Sequence, residues 1–165
     1  IRKMHKLHEQ FSLLSKYGIT SITELTEARN VLDDRRESIN RKISAVRRAE
    51  KAAENLFETV DVIKELAESE NCYVRGDDFF KEEHEKYTQL ISEISSQGYT
   101  VEEVINLKEY YKSQYVKLRN KLKDVRKELR IADNLIKEEN EKPIRQMEDK
   151  KEERGIDNRD RQPKK

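Results

Sequence analysis

Apolar residues recur at alternating steps of four and three between Tyr110 and Lys137: Tyr111, Tyr115, Leu118, Leu122, Val125, Leu129, Ala132 and Ile136. This is a heptad seam, flanked by Lys, Arg, Asp and Glu and uninterrupted by Gly or Pro. It predicts a long helix whose narrow stripe must lie against another helix. A backward shift of 79 positions finds the same register at Leu32, Arg36, Ile39, Ile43, Val46, Glu50, Ala53 and Phe57. Lys42, Val46, Arg47, Ala53, Asn55 and Leu56 are identical to their partners Lys121, Val125, Arg126, Ala132, Asn134 and Leu135. The two segments also share a Gly approach, at Gly18 and Gly98. Two heptad helices always look somewhat alike, but the shared approach favours a weak internal duplication.

The rest of the pattern orders the elements as short, long, short, long. Residues 1–17 form a short amphipathic helix with Met4, Leu7, Phe11 and Leu14 on one face, ended by Gly18. Ser21 and Glu24 are spaced as a capping box for a second helix. That helix runs to about Glu70, roughly 70 Å if unbroken. Arg29, Arg36, Glu50 and Lys64 sit at seam-like positions, where a polar residue costs stability but can fix register. Residues 71–78 break the pattern. A short helix over 79–97 follows, with Phe80, Tyr87, Leu90, Ile91 and Ile94 as its apolar face. Thr100 and Glu103 form a second capping box that launches the last long helix. Pro143 can kink or end it, and a frayed helix and disordered charged tail are expected over 143–165. The expected fold is all-α, with elongated antiparallel coiled-coil-like helical hairpins over 1–142. The long helices pair most simply within the chain; a dimer that buries the remaining stripe is the alternative.

Composition supports long exposed helices rather than a compact globule. Of 165 residues, 42% are charged and 34% hydrophobic, with no Trp, four Gly and two Pro. The net charge of +1 says nothing about partners, so only local segregation of charge informs. A single cysteine, Cys72, excludes an internal disulfide and a Cys-based zinc site and suits a reducing compartment. There is no apolar run long enough to span a bilayer, and no signal peptide is expected. Because the chain opens at Ile1 on residues that are already helix-like, an amino-terminal domain is expected to be missing.

Candidate chemistry is sparse. His5 and His8 share a helix face and could hold a metal only if a third ligand such as Glu9 turned inward. Solvated helix residues account for them better. His84 has no obvious partner in the sequence. No carboxylate stands in an apolar setting, and no Gly-rich phosphate loop or nucleophile motif is present. The expectation is no catalytic residue, no metal, no cofactor and no small-molecule substrate. The basic clusters say more. Arg41, Lys42, Arg47, Arg48 and Lys51 lie in the second helix; Lys117, Arg119, Lys121, Lys123, Arg126, Lys127 and Arg130 lie in the last. Acids concentrate elsewhere, at Glu54 to Glu70 and Asp77 to Glu85. A segregated basic stripe suits a nucleic-acid backbone. The same positions flank the seam, where basic residues often cover it or pair with acids on a facing helix. Tyr110, Tyr111 and Tyr115 could stack on bases, although such tyrosines more often pack at a coiled-coil end.

Four segments resemble the carboxy-terminal helical region of relaxases, the mobilisation nucleases of Gram-positive plasmids and conjugative transposons. They are Leu13 to Leu25 (LLSKYGITSITEL), Ile39 to Leu56 (INRKISAVRRAEKAAENL), Phe79 to Gly98 (FFKEEHEKYTQLISEISSQG) and Glu109 to Leu129 (EYYKSQYVKLRNKLKDVRKEL). The resemblance covers nearly the whole chain except the tail. The family's nuclease domain uses a Tyr nucleophile and a histidine-bound metal. Nothing here matches those residues, so none is carried over. The resemblance implies a non-catalytic accessory module of a bacterial, cytoplasmic nicking protein. It would bind DNA beside the nick at the transfer origin through Arg41, Lys42, Arg47, Arg48, Lys51, Lys121, Lys123, Arg126, Lys127 and Arg130, or help the transfer proteins assemble. A scaffold or dimerisation rod without DNA contact is the alternative, and a membrane-surface role is a distant third.

Overall fold

The structure, a computed structural model, describes the backbone of residues 1–159 and the side chains of residues 1–153. It is all-α. The described residues form five α-helices, α1 (Arg2–Tyr17), α2 (Ile22–Ala52), α3 (Glu54–Val74), α4 (Lys81–Ser96) and α5 (Val101–Arg159). A short 3-10 turn, Asp78–Phe80, precedes α4, and no strand occurs among the described residues. No helix among them is long and apolar enough to cross a membrane. The chain divides into two compact units, one of Ile1–Ser38 with Leu122–Lys165, the other of Ile39–Lys121.

In the first unit, α1 ends at Gly18 in the left-handed conformation, φ 62°. The amide of Ile19 then reaches back to the Leu14 carbonyl at 2.9 Å, closing a Schellman turn. The capping box forms as its spacing demands: the Glu24 amide donates to Ser21 Oγ at 3.2 Å, and the Ser21 amide donates to Glu24 at 3.1 Å. Leu13, Leu25, Ile131 and Ala132 form the core, with Leu14, Tyr17, Ile19, Leu135 and Ile136 partly buried against it.

Of the expected apolar face of α1, Leu14 packs against the core but the other three residues do not. Met4, Leu7 and Phe11 are 74%, 64% and 70% exposed. The residues buried on this helix are Gln10 and Leu13. Polar contacts to α5 set this rotation. Gln10 donates to Glu138 at 3.2 Å, Lys6 pairs with Glu138, Glu9 pairs with Lys127 at 2.7 Å, and Tyr17 donates to Glu128 at 2.6 Å. These partners lie more than a hundred residues away, so a helical wheel of α1 alone misplaces the docked face.

In the second unit, Ala53, Leu56, Phe57, Val60, Ile63, Ile94 and Val104 form the core. A turn at Gly76 (φ 101°) folds α4 back on α3, and Asp77 accepts from the Phe79 amide at 3.1 Å. Gly98 (φ 84°) and the Thr100–Glu103 capping box then open α5. There the Glu103 amide donates to Thr100 Oγ1 at 3.2 Å and the Thr100 amide donates to Glu103 at 2.9 Å.

Two helix boundaries differ from expectation. The expected second helix breaks at Ala53 (φ −94°, ψ 2°), whose amide is shared between the carbonyls of Ala49 and Glu50. Just past the break the buried stripe widens to the adjacent pair Leu56 and Phe57. At the other end, α5 passes through Pro143 instead of stopping there. Proline removes the amide that would bond the Glu139 carbonyl; Glu139 is exposed, so water can satisfy that oxygen. Of the stretch 143–165, expected to be a frayed helix and then a disordered tail, the part to Arg159 continues α5, and residues 160–165 lie outside the described ones.

Candidate nucleic-acid interface

The buried seam of α5 fixes where its charges point. Leu122, Val125, Leu129 and Ala132 are buried. In the first unit, steps of three and four from Lys123 to Arg126 to Arg130 place these residues on one stripe beside the seam. All three are exposed, and none makes an ion pair among the described residues. Lys127, one position over, differs: its ammonium pairs with Glu9 at 2.7 Å. That contact, together with the nearby Arg130 charge, holds the Glu9 carboxyl below the usual carboxylate range. Lys127 is therefore already occupied by a protein partner. Of the facing-helix pairings that the sequence left open, this one forms.

The second unit carries the remaining sequence-nominated residues. Arg41, Lys42, Arg48, Lys51 and Lys121 are all exposed. Lys42, Arg48, Lys51 and Lys121 make no ion pair among the described residues. Arg47 lies in a cluster that sequence reasoning did not assemble. Its Nη2 donates to Tyr115 Oη at 2.6 Å, and Arg119 Nη1 donates to the same oxygen at 3.2 Å. The guanidinium carbons sit 5.2 Å and 5.6 Å from the Tyr115 ring centroid. The Arg47 and Arg119 hydrogen bonds favour the phenolate, so the Tyr115 hydroxyl titrates below its ordinary value. The step of four from Tyr115 to Arg119 was legible in the sequence; the approach of Arg47 across 68 positions was not. Tyr111 packs edge-on against Phe57 with ring centroids 6.4 Å apart, and Tyr110 is 56% exposed.

The histidines divide. His5 and His8 are exposed on α1, and no group of three or more His, Cys, Asp or Glu among the described residues is placed to hold a metal ion. His84 has a partner after all: its Nδ1 lies 2.7 Å from Glu70, and its ring stacks on Tyr73 with centroids 4.1 Å apart. Both contacts join α4 to α3 through the hairpin turn, which explains why the local sequence around His84 shows nothing. No family model matches the chain, and neither a curated protein nor a solved structure matches it.

Proposed function

We propose that this chain is a non-catalytic accessory domain of a DNA-mobilising relaxase, which holds origin DNA through its phosphates. One observation carries the reading: Lys123, Arg126 and Arg130 form an exposed basic row that makes no ion pair among the described residues, beside a buried seam that fixes their direction. Cations that served only to clamp neighbouring helices would be paired as Lys127 is. Unpaired cations on a rigid helix are free to displace counterions from a nucleic-acid backbone. They would supply affinity and positioning rather than sequence readout. The relaxase assignment itself rests on the sequence resemblance. The scaffold reading rests on the exposed face of α1, where Met4, Leu7 and Phe11 are uncovered.

The test replaces Lys123, Arg126 and Arg130 together by glutamine and measures duplex binding across a salt series. The expected result is a log–log salt slope shallower by about 3, close to 0.9 for each phosphate no longer neutralised. An unchanged slope would remove this row from the interface.

A further inference from the structure

Arg47, Tyr115 and Arg119 form an unfinished charge arrangement within the second unit. Two guanidinium groups converge on one neutral phenol oxygen, at 2.6 Å and 3.2 Å. Neither guanidinium is ion-paired with a carboxylate among the described residues. The phenol oxygen accepts from both arginines, which leaves its own O–H free to donate. Two positive charges and a spare hydroxyl proton thus face solvent around a single point. A structural clasp would normally place a carboxylate there, since two like charges repel unless an anion lies between them. Arginine's planar fork fits a tetrahedral oxyanion in a way that lysine does not.

We infer that Arg47, Tyr115 and Arg119 bind one phosphate group of a nucleic-acid strand, with the two guanidiniums and the phenol O–H as donors. This deepens the proposed function and rests on it. The groove on one side of Arg47 is mixed in charge: Glu50, Glu54, Glu58 and Asp61 line it together with Lys51 and with Lys108, which pairs with Asp61 at 3.4 Å. On α5, Lys112 lies seven residues before Arg119 and therefore on the same stripe.

Three variants of the full chain separate the possibilities: Arg47→Gln with Arg119→Gln, Tyr115→Phe, and the Lys123, Arg126 and Arg130 triple. The double variant is expected to make the salt slope for a duplex shallower by about 1, the loss of one phosphate. Tyr115→Phe keeps both charges, so the slope stays within about 0.3 of the parent while affinity weakens by about two- to fivefold. If the arginines merely pack the helices, the double variant leaves the slope unchanged, and the inference is overturned even while the triple variant still flattens it. If the parent chain binds no duplex, the proposed function fails. Titration with inorganic phosphate, followed at the Arg47 and Arg119 Nε resonances, then decides the pincer alone. Saturable shifts at both arginines that are lost in the double variant support an oxyanion site; no shift overturns it.

Discussion

Leu7 and Leu13 lie on the same helix, and the same substitution at both positions tests its rotation. Leu13 is 4% exposed, packed among Leu25, Ile131 and Ala132; Leu7 is 64% exposed. Leucine to alanine removes three carbons, each worth about 0.8 kcal/mol when fully buried. For Leu13 the transfer contribution alone is about 2.4 kcal/mol, and an incompletely collapsed cavity raises it within the range of about 2–5 kcal/mol. For Leu7 only about a third of the side chain is removed from water, and no enclosed space is left. The expected loss there is about 0.8 kcal/mol, offset in part by the higher helix propensity of alanine. Urea denaturation followed by far-ultraviolet circular dichroism compares the two at equal slope. Leu13→Ala should lower stability by at least about 1.5 kcal/mol more than Leu7→Ala. Equal losses, or a larger loss at Leu7, would refute the rotation and restore the Met4–Leu7–Phe11 stripe as the docked face.

Other consequences follow from the same contacts. Ile94 is the one α4 residue buried among those described, so Ile94→Ala should cost about 2–5 kcal/mol. Amide hydrogen exchange should show α4 losing protection before α5 does. Gly98 has φ 84° and open space where a side chain would project, so Gly98→Ala is opposed by backbone alone, at about 1–2 kcal/mol in thermal unfolding. The Glu128 carboxyl is partly buried, which raises its pKa, but Lys16 and Tyr17 outweigh this and hold it below the ordinary carboxylate value. Its stabilisation is therefore complete above that ordinary value and is lost as pH falls through the lower folded value. Glu128→Gln should flatten stability against pH in the acid limb, and an unchanged acid limb would contradict the Lys16–Tyr17–Glu128 contact.

Local rules carried most of the backbone. The Ser21–Glu24 and Thr100–Glu103 boxes formed because each needs only residues three apart. Gly18 and Gly98 ended their helices because the left-handed turn disfavours residues with a Cβ there. The seam at Leu122, Val125, Leu129 and Ala132 was readable because its period repeats over several turns. What stayed hidden depends on residues distant in sequence. The face of α1 follows from Glu128 and Glu138, the partner of His84 from a hairpin turn, and the Tyr115 pincer from Arg47. The break at Ala53 involves neither Gly nor Pro, and no local signal marks it. For the interface, composition nominated the basic residues, but only geometry separated Lys127, which is paired, from Lys123 and Arg126, which are not.

The most direct test of nucleic-acid binding is fluorescence anisotropy of the parent chain with labelled single- and double-stranded oligonucleotides, from about 50 to 200 mM salt. The expected result is saturable binding whose log affinity falls linearly and steeply with log salt, as bound phosphates release counterions. No binding at the lowest salt, or affinity independent of salt, would contradict the phosphate-holding role and leave the helices as a protein-interaction rod.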